Sequence, residues 1–415
     1  MGLLFFARPS VSKIENRALT SFPALSWDSF WSGSFFSDLA LWYSDTYPLR
    51  EQMVAADQTL DGLHGVKTET QMVGGTKKAD ELPPTDQPSA SSSASQSEDT
   101  QTKRENVEVP TEQEMAAAVQ SQITDGLFIK GDAAYNIYYF SQEAVDAYAD
   151  AINTLASELK DQATVYSIVV PNSSGVMLSD QEVKDIGGTN QTDAINYFYS
   201  KYDESVKDVD VMGLLKKHTD EYLYYRTDHH WTTLGSYYGY EAFCNKKGIK
   251  AESRDDMKYK NMGDYLGSFY SQLNSEAMAA NPDYMDAWYP NATNELTLYG
   301  TDGTAEKYEI VTDTSNLDPF SKGLTHIMGD QPLEKITNPN LSDGSSCLVI
   351  KDSFGDSFAP WLVDNYQTVW IADFRYFEGS YSQLVKENDI KDVIVLNNIS
   401  LAGGGVVAPA ILGKL

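Results

Sequence analysis

The chain has 415 residues, 41% hydrophobic and 12% aromatic, enough to bury one large core or two smaller ones. Lys and Arg number 31 against 60 Asp and Glu, a net charge of -29, which excludes nucleic acid and anionic membrane surfaces as partners because both need clustered positive charge. Cys244 and Cys347 lie far apart in apolar surroundings, match no metal-ligand spacing, and read as buried free thiols.

The amino terminus, Met1 to Ala7 before Arg8-Pro9, falls far short of the ~20 apolar residues that cross a bilayer. It reads as the tail end of a longer hydrophobic segment, so a signal or anchor missing from this chain is expected, with the protein extracytoplasmic or at the cell surface. Residues 1–65 carry Phe22, Trp27, Phe30, Trp31, Trp42 and Tyr43, too many large apolar side chains for a tail, and are predicted to pack on the catalytic domain. Residues 66–118 change to Ser, Thr, Pro, Gln and Glu, including Leu82-Pro83-Pro84 and the serine run 91–93, and are predicted to be a disordered acidic linker or insert.

From 119 to 415 strand and helix alternate. Gly126 to Gly131 reads as a strand; Ser141 as an N-cap; and Val145, Tyr148, Ile152, Leu155 and Leu159 fall at helical spacing. The β-branched run Thr164 to Val170 is a strand, Ala194 to Tyr202 a helix, and Val209 to Val211 a short strand. The stretch between Ile249 and Ser345, punctuated by Gly, Asn and Asp, reads as loops and short strands over the carboxyl edge of a sheet. The alternation returns with strands at Leu348 to Lys351, Thr368 to Ala372 and Val393 to Leu396, and helices near Phe358 to Asn365 and Tyr381 to Glu387. The pattern predicts an α/β fold: a mostly parallel sheet with helices on both faces.

Two of only five histidines stand in Asp228-His229-His230-Trp231, directly after the apolar Tyr222 to Tyr225. Residues two apart in extended chain share a side, so Asp228 can fix one ring nitrogen of His230, which is the base-and-orienter half of a catalytic triad. The bland alternative is a core histidine or a neighbour of the helix starting at Thr232, and His229 fits it. A metal reading needs further ligands at suitable spacing, and none appears, so no metal or cofactor is expected.

Ser353 follows the apolar run Cys347 to Ile350 and precedes Gly355, a strand-to-turn-to-helix position that exposes a nucleophile at a sheet's edge. An N-cap role is its alternative. Ser357, in Gly355-Asp356-Ser357, is the rival nucleophile. Arg375 and Asn398 end the next two strands and are candidates for stabilising an oxyanion or binding substrate, against a solvated arginine or an ion pair with Asp373 for the first and a turn for the second. Lys351 is read as pairing with Asp352 or Asp356 and shaping the site electrostatically.

Thr227 to Thr232, with Lys351-Asp352-Ser353-Phe354-Gly355 and Asp373 to Phe377, resembles the DHHW family of Gram-positive bacteria, which looks related to the SGNH-hydrolase-like alginate O-acetyltransferases of the AlgJ/AlgX type. The likeness takes in Glu15-Asn16-Arg17, Phe22-Pro23 and Asp45 to Arg50. It implies an SGNH-like three-layer α/β/α fold with the Asp-His block before the serine block, a circularly permuted order, and it places acid, base and nucleophile on Asp228, His230 and Ser353. The serine segment here is more acidic than the relatives' usual motif. The resemblance further implies O-acetylation of an exopolysaccharide or cell-wall polymer, with acetyl supplied through an MBOAT-type membrane acyltransferase. The same triad would serve a carbohydrate O-acetyl esterase, and a non-catalytic surface protein binding glycan through Tyr284 to Tyr289 is the third reading.

Overall fold

A computed structural model describes residues 109–415 apart from 125 and 302, residues 70–83 apart from 76, and a few isolated positions before 70. The chain divides into two compact units. In the first, residues 1–69 with 271–274, the described positions include a short antiparallel hairpin, Val11–Ser12 with Arg17–Ala18, and an edge-to-face pair, Phe22 with Trp42, at 4.8 Å. Glu15, Asn16, Pro23 and the packing of 1–65 on the catalytic domain lie outside the described residues.

The second unit is built on an eight-stranded mixed sheet. In chain order its strands are β1 (Thr164–Val170), β2 (Val206–Asp208), β3 (Glu295–Tyr299), β4 (Ala305–Glu309), β5 (Leu333–Thr337), β6 (Ser346–Lys351), β7 (Thr368–Asp373) and β8 (Asp392–Asn398). Their spatial order is β4-β3-β5-β7-β6-β8-β1-β2. The five strands from β7 to β2 run parallel, and β5, β3 and β4 add antiparallel to the β7 edge. Strands β6 and β8 are buried along their whole length, as continuous apolar runs in a parallel sheet must be.

The strand Thr164–Val170 and the helix α1 (Gln142–Leu159) stand where the residue pattern predicts them; α1 turns Val145, Tyr148, Ile152, Leu155 and Leu159 into the core. Three assignments differ. Val209 to Val211 is not a strand: β2 ends at Asp208, and Asp210 caps a helical turn from Val211 by accepting from the Gly213 N–H. The 249–345 stretch extends the sheet itself with β3, β4 and β5, besides forming a separate antiparallel hairpin, Lys258–Tyr265 with Asp283–Tyr289. Every side chain of β4 is exposed, so this edge strand carries no apolar alternation to betray it. Part of the expected linker 66–118 is also ordered. Thr70–Gly74 pairs antiparallel with Gly126–Lys130, which pairs in turn with Ala133–Asn136, and a helix begins at Glu112. Strand 126–130 therefore lies in a small satellite sheet rather than the main one.

Candidate active site

The centre of the sheet's carboxyl edge is formed by β6, β7 and β8, where Lys351 stands in register with Asp373 on one side and Leu396 on the other. Immediately past Lys351 the chain turns. Asp352, fully buried, accepts from the Phe354 N–H at 3.0 Å and from the Asn398 N–H at 2.7 Å, fastening the turn to the end of β8. Burial lifts its pKa above the ordinary carboxylate range despite those two donors. Gly355 follows because a Cβ there would sit 2.5 Å from Lys351 Cβ; only a bare backbone lets the next helical turn fold back over the strand. Ser353 is left partly exposed at the apex.

The segment carrying the histidines is anchored from the opposite side. Thr227 gives both its N–H and its hydroxyl to the buried Asp283, each at 2.7 Å, and Arg226 braces the same carboxylate. The chain then folds back, the Tyr225 N–H donating to the His230 carbonyl and the Thr232 N–H to the Leu223 carbonyl. Thr232 caps the helix α2 (Thr233–Lys247) by accepting from the Gly235 N–H. Asp228 and His230 thus meet across a tight turn, not along the extended chain the spacing suggested. Asp228 Oδ1 accepts from the His230 N–H at 2.9 Å and faces His230 Nδ1 at 2.6 Å. Trp231, buried, donates its indole N–H to the Phe354 carbonyl at 3.0 Å, tying the histidine segment to the residue after Ser353.

The result is a continuous chain: Asp228 Oδ1, His230 Nδ1 at 2.6 Å, His230 Nε2, Ser353 Oγ at 2.7 Å. These are the carboxylate-imidazole-hydroxyl contacts that let an imidazole take a serine proton while its own charge is stabilised from behind. Burial favours a neutral ring, but the Asp228 carboxylate outweighs it and holds the His230 pKa above that of an ordinary histidine. Burial likewise favours the neutral acid at Asp228, yet the His230 and His229 rings and the hydrogen bonds from His230 and the Ser268 N–H hold it well below the usual carboxylate range. The second oxygen of Asp228 accepts that Ser268 N–H at 2.7 Å, and a Cβ on Gly267 would fall 2.3 Å from the Asp228 side chain.

His229 is the buried neighbour. Its ring lies 3.8 Å from that of His230, its Nδ1 pairs with Ser268 Oγ at 2.7 Å, and burial, with the adjacent His230, pushes its pKa down to about 3. Asp228, His229 and His230 place potential metal-ligand atoms within 4.8 Å of one another. Both His230 nitrogens are engaged in the triad, however, so the site has a use for these side chains without an ion.

The remaining candidates go elsewhere. Lys351, with no exposed surface, binds Asp356 at 2.5 Å, Asp330 at 2.9 Å and Asp373 at 3.0 Å, and Arg375 grips Asp373 through Nε at 2.8 Å and Nη2 at 2.5 Å. Of the two partners the sequence suggested for Lys351, the structure pairs it with Asp356 and not with Asp352, whose carboxylate accepts backbone N–H groups instead. Arg375 also reaches Asp330, at 2.5 Å, so its guanidinium is committed to the cluster: it is not solvated, and the ion pair with Asp373 that the sequence offered as its alternative is the one that forms, as a buried pair. Asn398 is buried too: its amide N–H groups go to the Val170 carbonyl and Asn172 Oδ1, and its Oδ1 accepts from the Ser400 N–H. These bonds make it the cap of the turn after β8 and leave the oxyanion reading without a donor. Ser357 contributes its carbonyl to Ser236 Oγ, while the imidazole addresses Ser353. Asp352, Trp231, Ser268 and Asp330, which hold the site together, carry no local signal in the sequence beyond the motif's own tryptophan.

An α/β sheet that brings a carboxylate, an imidazole and a serine hydroxyl into line at its carboxyl edge is an arrangement able to support attack by the serine oxygen on an electrophile. The chain belongs to the DHHW family, whose model, described as DHHW protein, matches residues 15–93 and 91–372. A DHHW family protein from Eubacterium siraeum is 26% identical, with a TM-score of 0.63 over 70% of this chain and 95% of that one. Bacillus cereus PatB1, solved also with a sulfonyl adduct, has the same fold at 22% identity and a TM-score of 0.58, over 68% of this chain and 97% of its own in the adduct structure. The O-acetyltransferase domain of Pseudomonas putida AlgJ is far more distant, 11% identical with a TM-score of 0.37 over 65% and 90%. No curated protein matches the sequence.

Proposed function

We propose that this protein is an extracytoplasmic serine O-acyltransferase that O-acetylates an exopolysaccharide or cell-wall polymer, on an SGNH-like scaffold in which the Asp-His block precedes the serine block. The observation that carries the reading is the hydrogen-bonded line from Asp228 through His230 to Ser353. The family resemblance supplies the acyl group and the polymer, and the sulfonyl adduct of Bacillus cereus PatB1 fits a fold that presents a nucleophile to electrophiles.

His230 Nε2 takes the Ser353 proton as Oγ attacks the carbonyl carbon of an acetyl ester. The protonated imidazole, stabilised by Asp228, returns that proton to the leaving oxygen, and acetyl-Ser353 remains. A sugar hydroxyl then gives its proton to His230 and attacks the acyl-enzyme, and His230 restores the proton to Ser353. For the oxyanion, the Phe354 N–H is held by Asp352 and the Gly355 N–H by the Asp352 carbonyl, whereas the Ser353 N–H has no partner among the described residues. That amide is the donor we assign. The acetyl donor is delivered, in this reading, by an MBOAT-type membrane acyltransferase. Among the described residues no helix is long and apolar enough to cross a membrane.

Incubation with a chromogenic acetyl ester, with and without candidate oligosaccharides, tests the reading. Acetylated sugar detected by mass spectrometry supports transfer; free acetate alone, with every acceptor, replaces it by esterase action; no ester cleavage removes both.

A further inference from the structure

The hairpin Lys258–Tyr265 with Asp283–Tyr289 has one face the mechanism does not use. Successive strand residues point to opposite sides. Met285 and Ala287 are buried in the core, whereas Tyr284, Asp286 and Trp288 point to the other side, Asp286 itself largely covered between its aromatic neighbours, with Tyr259 opposite Trp288 in register. These four side chains line a cavity of about 520 Å³, together with Tyr222 and Arg254 among others, and no member of the triad lines it.

The arrangement is an aromatic-carboxylate-aromatic stripe. Tyr222 and Tyr284 lie 5.1 Å apart at 31°, and Tyr259 and Trp288 4.9 Å apart at 56°. Tyr284 and Tyr259 are 40% and 48% exposed, so both rings are accessible to a ligand. Trp288 is backed by the buried Trp361 at 5.7 Å, whose indole N–H donates to Ser236 Oγ, and that hydroxyl in turn donates to the Ser357 carbonyl. Trp288 is thus backed by a buried tryptophan fastened to α2 rather than standing alone.

The chemistry of the lining selects the occupant. Aromatic rings cover the C–H faces of a pyranose, and carboxylates accept from its ring hydroxyls. The charges that are not buried are Glu221 and Asp255 against Arg254, which is itself 3.6 Å from Glu221, so the wall carries a net negative charge that disfavours uronates and phosphorylated ligands. We propose that this cavity is a carbohydrate-binding site for uncharged or amino-bearing pyranose units, separate from the Ser353 centre, which anchors the glycan on the enzyme. The site does not depend on the acyl-transfer reading.

The test titrates the full chain with cellopentaose, chitopentaose, its deacetylated amino counterpart and an oligogalacturonate, following tryptophan fluorescence and calorimetry. Saturable binding of an uncharged or amino oligomer is expected. Tyr259→Ala and Trp288→Ala should each weaken it about tenfold or more, ~1.4 kcal/mol. Tyr259 stands half in solvent, so its variant controls for misfolding in the other, and cleavage of a small chromogenic acetyl ester should be unchanged in both. The proposal is overturned if none of the uncharged or amino oligomers saturates, if the oligogalacturonate binds equally well, or if Tyr259→Ala binds like the parent. Loss of ester cleavage in the parent protein would count against the triad and leave this site standing.

Discussion

Two clusters of charge meet at the sheet's carboxyl edge, and they are built to opposite ends. Lys351, Arg375, Asp330, Asp373 and Asp356 form a closed set in which each cation holds two or three carboxylates, and Lys351 and Asp373 have no exposed surface. Asp228, His230 and Ser353 form an open line, saturated at Asp228 and ending on a hydroxyl that reaches solvent. Burial costs both sets dearly. The closed set satisfies its charges within itself and fixes the ends of β6 and β7, while its Asp356 and Asp330 also add to the field that raises the His230 pKa; the open line leaves one proton free to move. What separates the closed network from the line proposed to be catalytic is that unsatisfied end, not the number of charged residues.

Each half of the contrast can be broken separately. Ser353→Ala should abolish ester turnover, a loss on the order of 10^4–10^6-fold, while thermal unfolding stays that of the parent; substantial turnover in the purified variant would remove the nucleophile from Ser353. Asp228→Asn keeps the shape but removes the charge behind the imidazole, and kcat should fall on the order of 10^2–10^4-fold. Lys351→Met strikes the closed set instead: Asp330, Asp356 and Asp373 lose their shared cation, and denaturant unfolding should show a cost of about 3–5 kcal/mol. If Lys351→Met kept full stability yet lost turnover, the two clusters would have to be read as one.

The pH profile sharpens the comparison further. His230 acts as a base only when neutral, and Asp228 raises its pKa, so kcat/KM should fall on the acid side with a midpoint above an ordinary histidine's. In Asp228→Asn that support is gone, and the residual activity should carry its midpoint to lower pH. An unshifted midpoint would show that the limb belongs to another group, Asp356 being the foremost rival, since burial pushes it up to about 7. The smallest effect is expected at Ser357, whose carbonyl rather than its hydroxyl ties down α2: Ser357→Ala should change turnover by no more than about twofold.

What is legible in the sequence is local. Asp228, His230 and Ser353 stand in short patterns whose neighbours announce a turn, a helix start or a buried strand, and β1, β6, β7 and β8 are apolar runs of strand length. What is hidden depends on distance along the chain. Asp283, which fixes Thr227, is 56 positions away, and Ser268, which satisfies Asp228, is 40 away, both in a stretch without periodicity. Arg375 and Asn398 do stand at strand ends, and of the two readings open for each the structure takes the ion pair with Asp373 and the turn; what the sequence could not show are the distant partners Asp330 and Asn172 that use up the guanidinium and the amide. Strand β4 is invisible for the opposite reason: an exposed edge has nothing to bury, so hydrophobic alternation never appears.

The most direct test is to treat the protein with a serine-directed sulfonyl fluoride or phosphonate and map the modified peptide by mass spectrometry. A single adduct on Ser353, absent in Ser353→Ala and strongly slowed in His230→Ala, is the predicted result. An adduct on Ser357 or another residue, or equal labelling with His230 removed, would contradict an imidazole-activated Ser353.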